Sequence, residues 1–146
     1  MVGIRFDKMK AMFFDRKAVV GAVDRATRKV LSKFGAFVRK TARHSIRKRK
    51  SVSKPGNPPS SHVGLLKRLI FFGFDTTRKS VVIGPTPLRG TPVAPPLLEY
   101  GGRTRRKDRK GKGVTAKYKA RPYMGPAFQK EKSKLPALWA GSVRKQ

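Results

Sequence analysis

The stretch DRKAVVGAVDRATRKVLSKFGAFVRKTARHSI, residues 15–46, decides the fold of this chain. Its apolar residues recur at gaps of three, four and seven, which places them on one stripe of an α-helix. Asp15 is a favourable N-cap, and about 32 residues at about 1.5 Å each predict a rod roughly 48 Å long. Such a helix needs a partner over its apolar stripe, in the same chain or in a neighbouring subunit. The stripe consists of Val20, Val23, Val30, Leu31, Phe34, Phe37, Val38 and Ile46.

The natural cover for this helix is a β-hairpin farther along the chain. Two β-rich runs, residues 71–75 and 80–84, are joined by a short polar turn, which is typical of antiparallel pairing. Residues 65–70 predict a helical turn or the start of the first strand. Gly35 weakens the long helix by about 1 kcal/mol, so it marks a bend or a close contact.

The remaining segments complete an α+β fold. Residues 95–100 predict a helical turn that Gly101 and Gly102 end, and residues 114–121 alternate as a third strand. A last helix over residues 126–142 is kinked or split by Pro136. We therefore predict a long N-terminal amphipathic helix packed on a small antiparallel sheet, with a short C-terminal helix. The predicted organisation is an arm at 1–14, a single domain at 15–142 and a basic tail at 143–146.

The charge of the chain is extreme for its length. Among 146 residues, 37 Lys and Arg stand against 7 Asp and Glu, giving a formal net charge of +30. Such an imbalance destabilises a compact monomer by self-repulsion, so we expect a polyanion or an acidic protein surface as partner. Nucleic acid is the first candidate, because cations that neutralise phosphates release counterions. A merely solvated, soluble surface is the alternative.

Other features of the sequence argue against an enzyme and against a membrane protein. The chain has no cysteine, which fits a reducing compartment, and no apolar run near the roughly 20 residues that span a membrane. The N-terminus lacks the apolar core of a signal peptide. His44 and His62 have no acid or nucleophile at a persuasive spacing, and the scattered acids form no metal site. We expect no catalysis, no metal and no cofactor.

The cations concentrate in two segments that we predict to be exposed basic loops. The first basic segment is 47–64, where three prolines exclude a helix or a central strand. The second basic segment, 103–113, has no apolar residue and is predicted to be flexible. Either loop could contact DNA phosphates, dock on an acidic protein patch, or only be solvated. The candidate contact residues are Arg47, Lys48, Arg49, Lys50, Lys54, Arg103, Arg105, Arg106, Lys107, Arg109, Lys110 and Lys112.

Four short motifs follow the long helix in a fixed order. They are GLL at 64–66 with Ile70, SVVIGP at 80–85, LEYGG at 98–102 and ARPYMGPAF at 120–128. The arrangement resembles the head–tail joining proteins, also called neck or tail-completion proteins, of long-tailed bacteriophages. The last motif is the most specific, and the resemblance covers roughly residues 15–139.

This resemblance implies a structural virion protein of the phage neck that is made in the host cytoplasm. Copies would form a homo-oligomeric ring, a hexamer or a dodecamer, around the DNA exit channel. Its partners would be portal or adaptor proteins, tail terminator or tail tube proteins, and packaged double-stranded DNA held by non-specific phosphate contacts, with no membrane. Within the motifs we expect a subunit interface or core role for Glu99, Tyr100, Arg121, Pro122, Tyr123 and Phe128.

Two points remain open from the sequence. Glu99 is a rare acid, and we expect it to pair with Arg121 or with a basic residue of the next subunit. A monomeric nucleic-acid-binding protein, similar to a ribosomal protein with basic extensions, would share the charge and the loops but would not explain the ordered motifs. Strong duplex binding fits both hypotheses, whereas ring formation separates them.

Overall fold

The computed structural model of the chain describes residues 16–87 and 93–143. The predicted arm at 1–14, the N-cap Asp15 and residues 144–146 of the basic tail lie outside them. The described elements are α1 (Arg16–Ser45), β1 (Arg47–Lys48), β2 (Ser60–Ser61), α2 (Leu65–Arg68), β3 (Ile70–Asp75), β4 (Ser80–Pro85), α3 (Ala94–Tyr100), β5 (Gly102–Lys107), β6 (Gly113–Tyr118), α4 (Met124–Lys132) and α5 (Leu135–Trp139). The α+β class predicted from the sequence is confirmed.

The strands form three separate pairs. β1 and β2 make a short parallel bridge, while β3 with β4 and β5 with β6 are antiparallel hairpins. The predicted hairpin on the long helix is therefore present as β3–β4. The predicted third strand does not extend that hairpin, because it pairs with the second basic segment instead.

The long helix α1 is the centre of the core. Its buried residues are spaced as predicted from Ala26 onward. Three of them, Phe34, Val38 and Ala42, belong to the buried core cluster, which also contains Ile46, Leu66, Ile70, Tyr123 and Ala127. Three contacts fix the β3–β4 hairpin along α1. Lys79 in its turn pairs with Asp24 at 2.6 Å, Phe72 and Val81 meet Gly35, and the Arg39 Nε donates to the Ile70 carbonyl at 2.8 Å.

The first turns of α1 extend past this cover. Val20 and Val23, predicted to be buried, are 50% and 41% exposed, so that part of the predicted stripe is wrong. The reason is length: a strand of 6 residues at about 3.3 Å each spans about 13 residues of helix, whereas α1 has 30. The N-terminal end of the apolar stripe is therefore left without cover among the described residues.

The C-terminal helices cover the other side of the stripe. The single predicted helix is split into α4 and α5, with Pro136 in the first turn of α5, and it begins at Met124 rather than Pro126. Phe128 of α4 makes an edge-to-face contact with Phe34, with ring centroids 5.8 Å apart. The buried carboxylate of Glu131 accepts a hydrogen bond from Thr41 Oγ1 and pairs with Lys134, both at 2.7 Å.

These hydrogen bonds, first from Lys134 and then from Thr41, lower the pKa of Glu131 below its ordinary value. The carboxylate therefore stays charged although the side chain is only 3% exposed. Because Thr41 and Lys134 bind the charged form of Glu131, this site contributes to stability at neutral pH and loses that contribution in acid.

The β3–β4 hairpin lies so close to α1 at Gly35 that we expect replacement of this glycine by alanine to destabilise the protein. A Cβ atom at Gly35 would lie 2.7 Å from Val81 Cγ2 and 2.9 Å from Phe72 Cδ2. We expect Gly35→Ala to lower the free energy of unfolding by about 1–3 kcal/mol, although alanine favours a helix by about 1 kcal/mol over glycine. Urea unfolding followed by circular dichroism measures the change.

Gly21→Ala is the matched control on the same helix. The nearest atom to its added Cβ is Arg25 Nη1 at 3.4 Å, at the end of a flexible side chain. We expect this substitution to raise the free energy of unfolding by about 0.5–1 kcal/mol. Equal stabilisation by both substitutions would contradict the close packing at Gly35.

Candidate nucleic-acid interface

The second basic segment is not a loop, so that prediction is wrong. Arg103, Arg105, Arg106 and Lys107 lie in β5 and pair with β6, and only residues 108–112 form the turn between them. A β-ladder is held by main-chain hydrogen bonds, so it does not require apolar side chains on both strands. The predicted exposure does hold, because five of the six residues of β5 are exposed. We refer to residues 102–118 as the basic hairpin.

The two faces of the basic hairpin differ in charge. Residues directly opposite in an antiparallel pair share a face. One face carries the pairs Arg103–Lys117, Arg105–Thr115 and Lys107–Gly113, and the other carries Thr104–Ala116, Arg106–Val114 and Gly102–Tyr118. The first set, which we name the cationic face, consists of Arg103, Arg105, Lys107 and Lys117.

The cationic face carries an electrostatic cost in the free protein. Arg103 stands opposite Lys117, and like charges in that position destabilise a hairpin. Among residues 16–87 and 93–143, the ion pairs are Lys79–Asp24 and Lys134–Glu131, neither of which involves this face. An anion placed along the face would relieve the repulsion.

The turn of the basic hairpin exposes three more cations. Asp108 is the acid in this turn, and its Oδ1 accepts hydrogen bonds from the main-chain N–H groups of Lys110 and Lys112 at 2.8 and 2.9 Å. Gly111 has a φ of 80°, which closes the turn at little cost. The turn is thus ordered by its acid, and it presents to solvent the side chains of Arg109, Lys110 and Lys112.

The base of the basic hairpin is fixed tightly to the body. Gly101 has a φ of 72°, and a Cβ there would lie 2.9 Å from the Ala120 nitrogen. The Arg121 N–H donates to the Leu98 carbonyl at 2.6 Å.

Tyr100, predicted to lie in the core or at an interface, is 81% exposed, so it is available to a neighbouring molecule but is not part of this chain's core.

Within this chain, the carboxylate of Glu99 accepts hydrogen bonds from three main-chain N–H groups. Its Oε2 accepts from the N–H groups of Tyr123 and Met124 at 2.9 and 3.0 Å, and its Oε1 accepts from Gly125 at 2.7 Å. The predicted pairing with Arg121 is wrong, because Arg121 donates instead to the carbonyls of Ser53 and Lys119. Glu99 therefore caps α4, where unpaired N–H groups and the helix dipole favour a carboxylate.

The other residues of the ARPYMGPAF motif have structural positions. Tyr123 is buried in the core, and burial, followed by the negative charge of Glu99, raises the pKa of its phenol. Pro122 is partly buried, and Phe128 packs on Phe34 while remaining 41% exposed. The motif directs the chain from the basic hairpin into α4, and it leaves one edge of Phe128 uncovered.

The first basic segment lies against the base of the basic hairpin. The Gly56 N–H donates to the Ala120 carbonyl at 2.9 Å, and Arg121 Nε donates to the Ser53 carbonyl at 3.0 Å. Residues 119–121, which directly follow the basic hairpin, are therefore hydrogen-bonded to the first basic segment. The cations of the first segment are all exposed: Arg47, Lys48, Arg49, Lys50 and Lys54.

Lys117 was not among the candidate contact residues predicted from the sequence. It lies outside the charge run at 103–113, and only the strand register places it beside Arg103. The alternation of residues 114–121 was the available signal, since a strand there requires a partner of similar length.

The part of the chain that the structure describes contains no group of three His, Asp or Glu residues placed to hold a metal ion. None of its helices is both long and apolar enough to span a membrane. Comparisons with protein families, with characterised proteins and with solved structures found no match.

The capping role of Glu99 gives a direct prediction. Glu99→Ala leaves three N–H groups at the start of α4 without their acceptor, so we expect the free energy of unfolding to fall by about 1–3 kcal/mol. Glu99→Gln retains one acceptor oxygen and should lose less. Chemical unfolding at neutral pH measures both variants, and wild-type stability in Glu99→Ala would contradict the capping role.

Proposed function

We propose that this protein is a structural component of the neck of a tailed bacteriophage. In this role, copies assemble into a homo-oligomeric ring that joins the portal or adaptor complex to the tail terminator or tail tube and surrounds the DNA channel. The role is non-enzymatic, uses no cofactor and places the protein in the virion. The ordered motifs of residues 64–128 support the proposal, together with the α+β fold in which they lie.

One observation carries the proposal: a two-stranded ribbon of 17 residues, 102–118, carries eight of the 37 cations and is attached to an α+β body. Side chains on one face of a strand are about 6.7 Å apart, because each residue rises about 3.3 Å. Duplex DNA carries phosphates every 3.4 Å or so of axis along each strand. Successive phosphates also turn about the axis, so neighbours on one strand lie about twice that rise apart through space, and Arg103, Arg105 and Lys107 match the spacing of neighbouring phosphates.

Contacts of this kind suit a channel through which DNA must leave. They use phosphate oxygens and carry no sequence information, so they act on any packaged genome. Each exposed contact is weak and screened by salt, which lets DNA move past a ring while many contacts together retain its end. The first basic segment adds cations beside the base of the same ribbon.

The uncovered apolar residues support assembly of copies into a ring. Val19, Val20 and Val23 are exposed on the first turns of α1. Val82 is 65% exposed on the face of β3–β4 that points away from α1, and Phe71, whose ring centroid lies 5.8 Å from the Arg39 guanidinium of α1, is 47% exposed. Two different apolar surfaces are what a head-to-tail ring requires, since each interface joins unlike patches.

The net charge links assembly to DNA. Copies with a charge of +30 repel one another, so a ring of free protein is disfavoured at low salt. DNA in the channel, or screening by salt, removes that repulsion. The alternative function, a monomeric nucleic-acid-binding protein, uses the same cationic face on RNA or DNA phosphates but gives no role to the exposed apolar residues.

Neutralising the cationic face tests the DNA contact. The salt dependence of duplex binding is the slope of log K against log salt concentration, to which each phosphate contact contributes about −0.9. In the triple variant Arg103→Gln, Arg105→Gln, Lys107→Gln, the magnitude of this slope should fall by about 2–3. Fluorescence anisotropy with a labelled duplex at several salt concentrations measures the slope. Circular dichroism should show an unchanged fold, because these side chains are exposed.

A control variant removes the same charge from the outer face of α1. Arg25→Gln, Arg28→Gln, Lys33→Gln changes three exposed side chains in a helix that glutamine tolerates well. We expect its slope to stay within about 1 of the wild type. Equal losses in the two triple variants would show that net charge, rather than the basic hairpin, governs binding.

A further inference from the structure

The first basic segment, together with His44 and Ser45 of α1, lines an open cavity of about 590 Å³. The two ends of the loop around it are held together by the parallel bridge, in which Arg47 pairs with Ser60 and Lys48 with Ser61. A volume of this size lies in the range of small-molecule sites, about 300–1,000 Å³. The cavity is therefore a defined part of the loop.

Hydrogen bonds hold the walls of this cavity in place. The carbonyl of Ser53 accepts from Arg121 Nε at 3.0 Å, and the Gly56 N–H donates to Ala120 at 2.9 Å. The Asn57 N–H closes a turn on the Lys54 carbonyl at 3.2 Å. Because these bonds are made by the protein itself, a ligand would not have to order the loop when it binds.

The charged residues that line the cavity are all basic. Arg47, Arg49 and Lys54 contribute three cations, and none of the lining residues is an Asp or Glu. Ser51, Ser53 and Ser60 add hydroxyl groups that can donate hydrogen bonds. The Ser53 hydroxyl oxygen is buried and has no hydrogen-bond partner among the described residues, which normally costs free energy.

We infer that this cavity binds a phosphate group. Phosphate presents several strong acceptor oxygens and negative charge, which matches guanidinium groups, an ammonium group and serine hydroxyls around one space. Such a group compensates the three cations, and the unpartnered Ser53 hydroxyl lies in the wall of the same cavity. The inference rests on the proposed function only for the source of the phosphate, which is the backbone of duplex DNA.

Inorganic phosphate is the probe for this site. Titration calorimetry on the full chain, with ionic strength matched by chloride, should show saturable binding. Arg47→Gln with Arg49→Gln should weaken that binding at least about tenfold, since it removes two cations that can make charge-assisted hydrogen bonds to the phosphate oxygens. The control Arg28→Gln with Lys29→Gln, which removes the same charge from exposed positions on α1, should change it less than about twofold.

Ser53→Ala separates binding from structure. If the hydroxyl serves a ligand, the variant lowers phosphate affinity without lowering the free energy of unfolding, because the removed group had no partner in the free protein. A loss of stability with unchanged phosphate affinity would overturn the role of Ser53. Absence of saturable phosphate binding, or equal loss in the α1 control, would overturn the pocket itself.

Competition identifies the source of the phosphate. If duplex DNA displaces inorganic phosphate from the wild-type protein, the backbone of DNA fills the pocket. If phosphate remains bound in the presence of saturating DNA, the pocket takes a free phosphate ion. Both results support the site, and neither depends on ring formation, so the proposed neck function can fail without it.

Discussion

The close approach of the β3–β4 hairpin to α1 at Gly35 is the constraint on which the rest of the structure depends. Without a side chain at residue 35, Phe72 and Val81 reach the helix and cover its apolar stripe. α4 covers the adjoining side through Phe128 and Ala127, and the buried Glu131 fixes it to Thr41. The short strands cover only part of a 30-residue helix, so the first turns of α1 are left without cover by residues 16–87 and 93–143.

A single carboxylate connects this core to the charged surface. Glu99 belongs to α3, directly before the basic hairpin, and it caps α4, which packs on α1. The segment between the hairpin and α4, residues 119–121, also holds the first basic segment through Ser53 and Gly56. The body thus positions both groups of cations from one place, although neither group contributes to the buried core. This separation lets a chain with a formal net charge of +30 keep an apolar core cluster.

The periodic parts of the sequence could be interpreted reliably, whereas the pairing of strands could not. The helical stripe, the β3–β4 hairpin and the break near Pro136 follow from local patterns, and the structure has all three. The exposure of Val20 and Val23 depends on how far the hairpin reaches, which is a tertiary property. Residues 103–107 were predicted to be a flexible loop because they are highly charged and include no apolar residue. Their strand is held by main-chain hydrogen bonds, which amino-acid composition does not indicate. The capping role of Glu99 was missed for the same reason, since its partners are backbone N–H groups.

The most direct test of the proposed neck function is the mass of the full-length protein in solution. The protein would be treated with nuclease, kept at high salt so that self-repulsion is screened, and measured by analytical ultracentrifugation and electron microscopy. A neck protein is expected to form a closed ring of identical copies, by itself or on addition of a portal or tail complex. A strict monomer that binds RNA and does not associate with portal or tail proteins would contradict the neck function and would favour the monomeric nucleic-acid-binding protein.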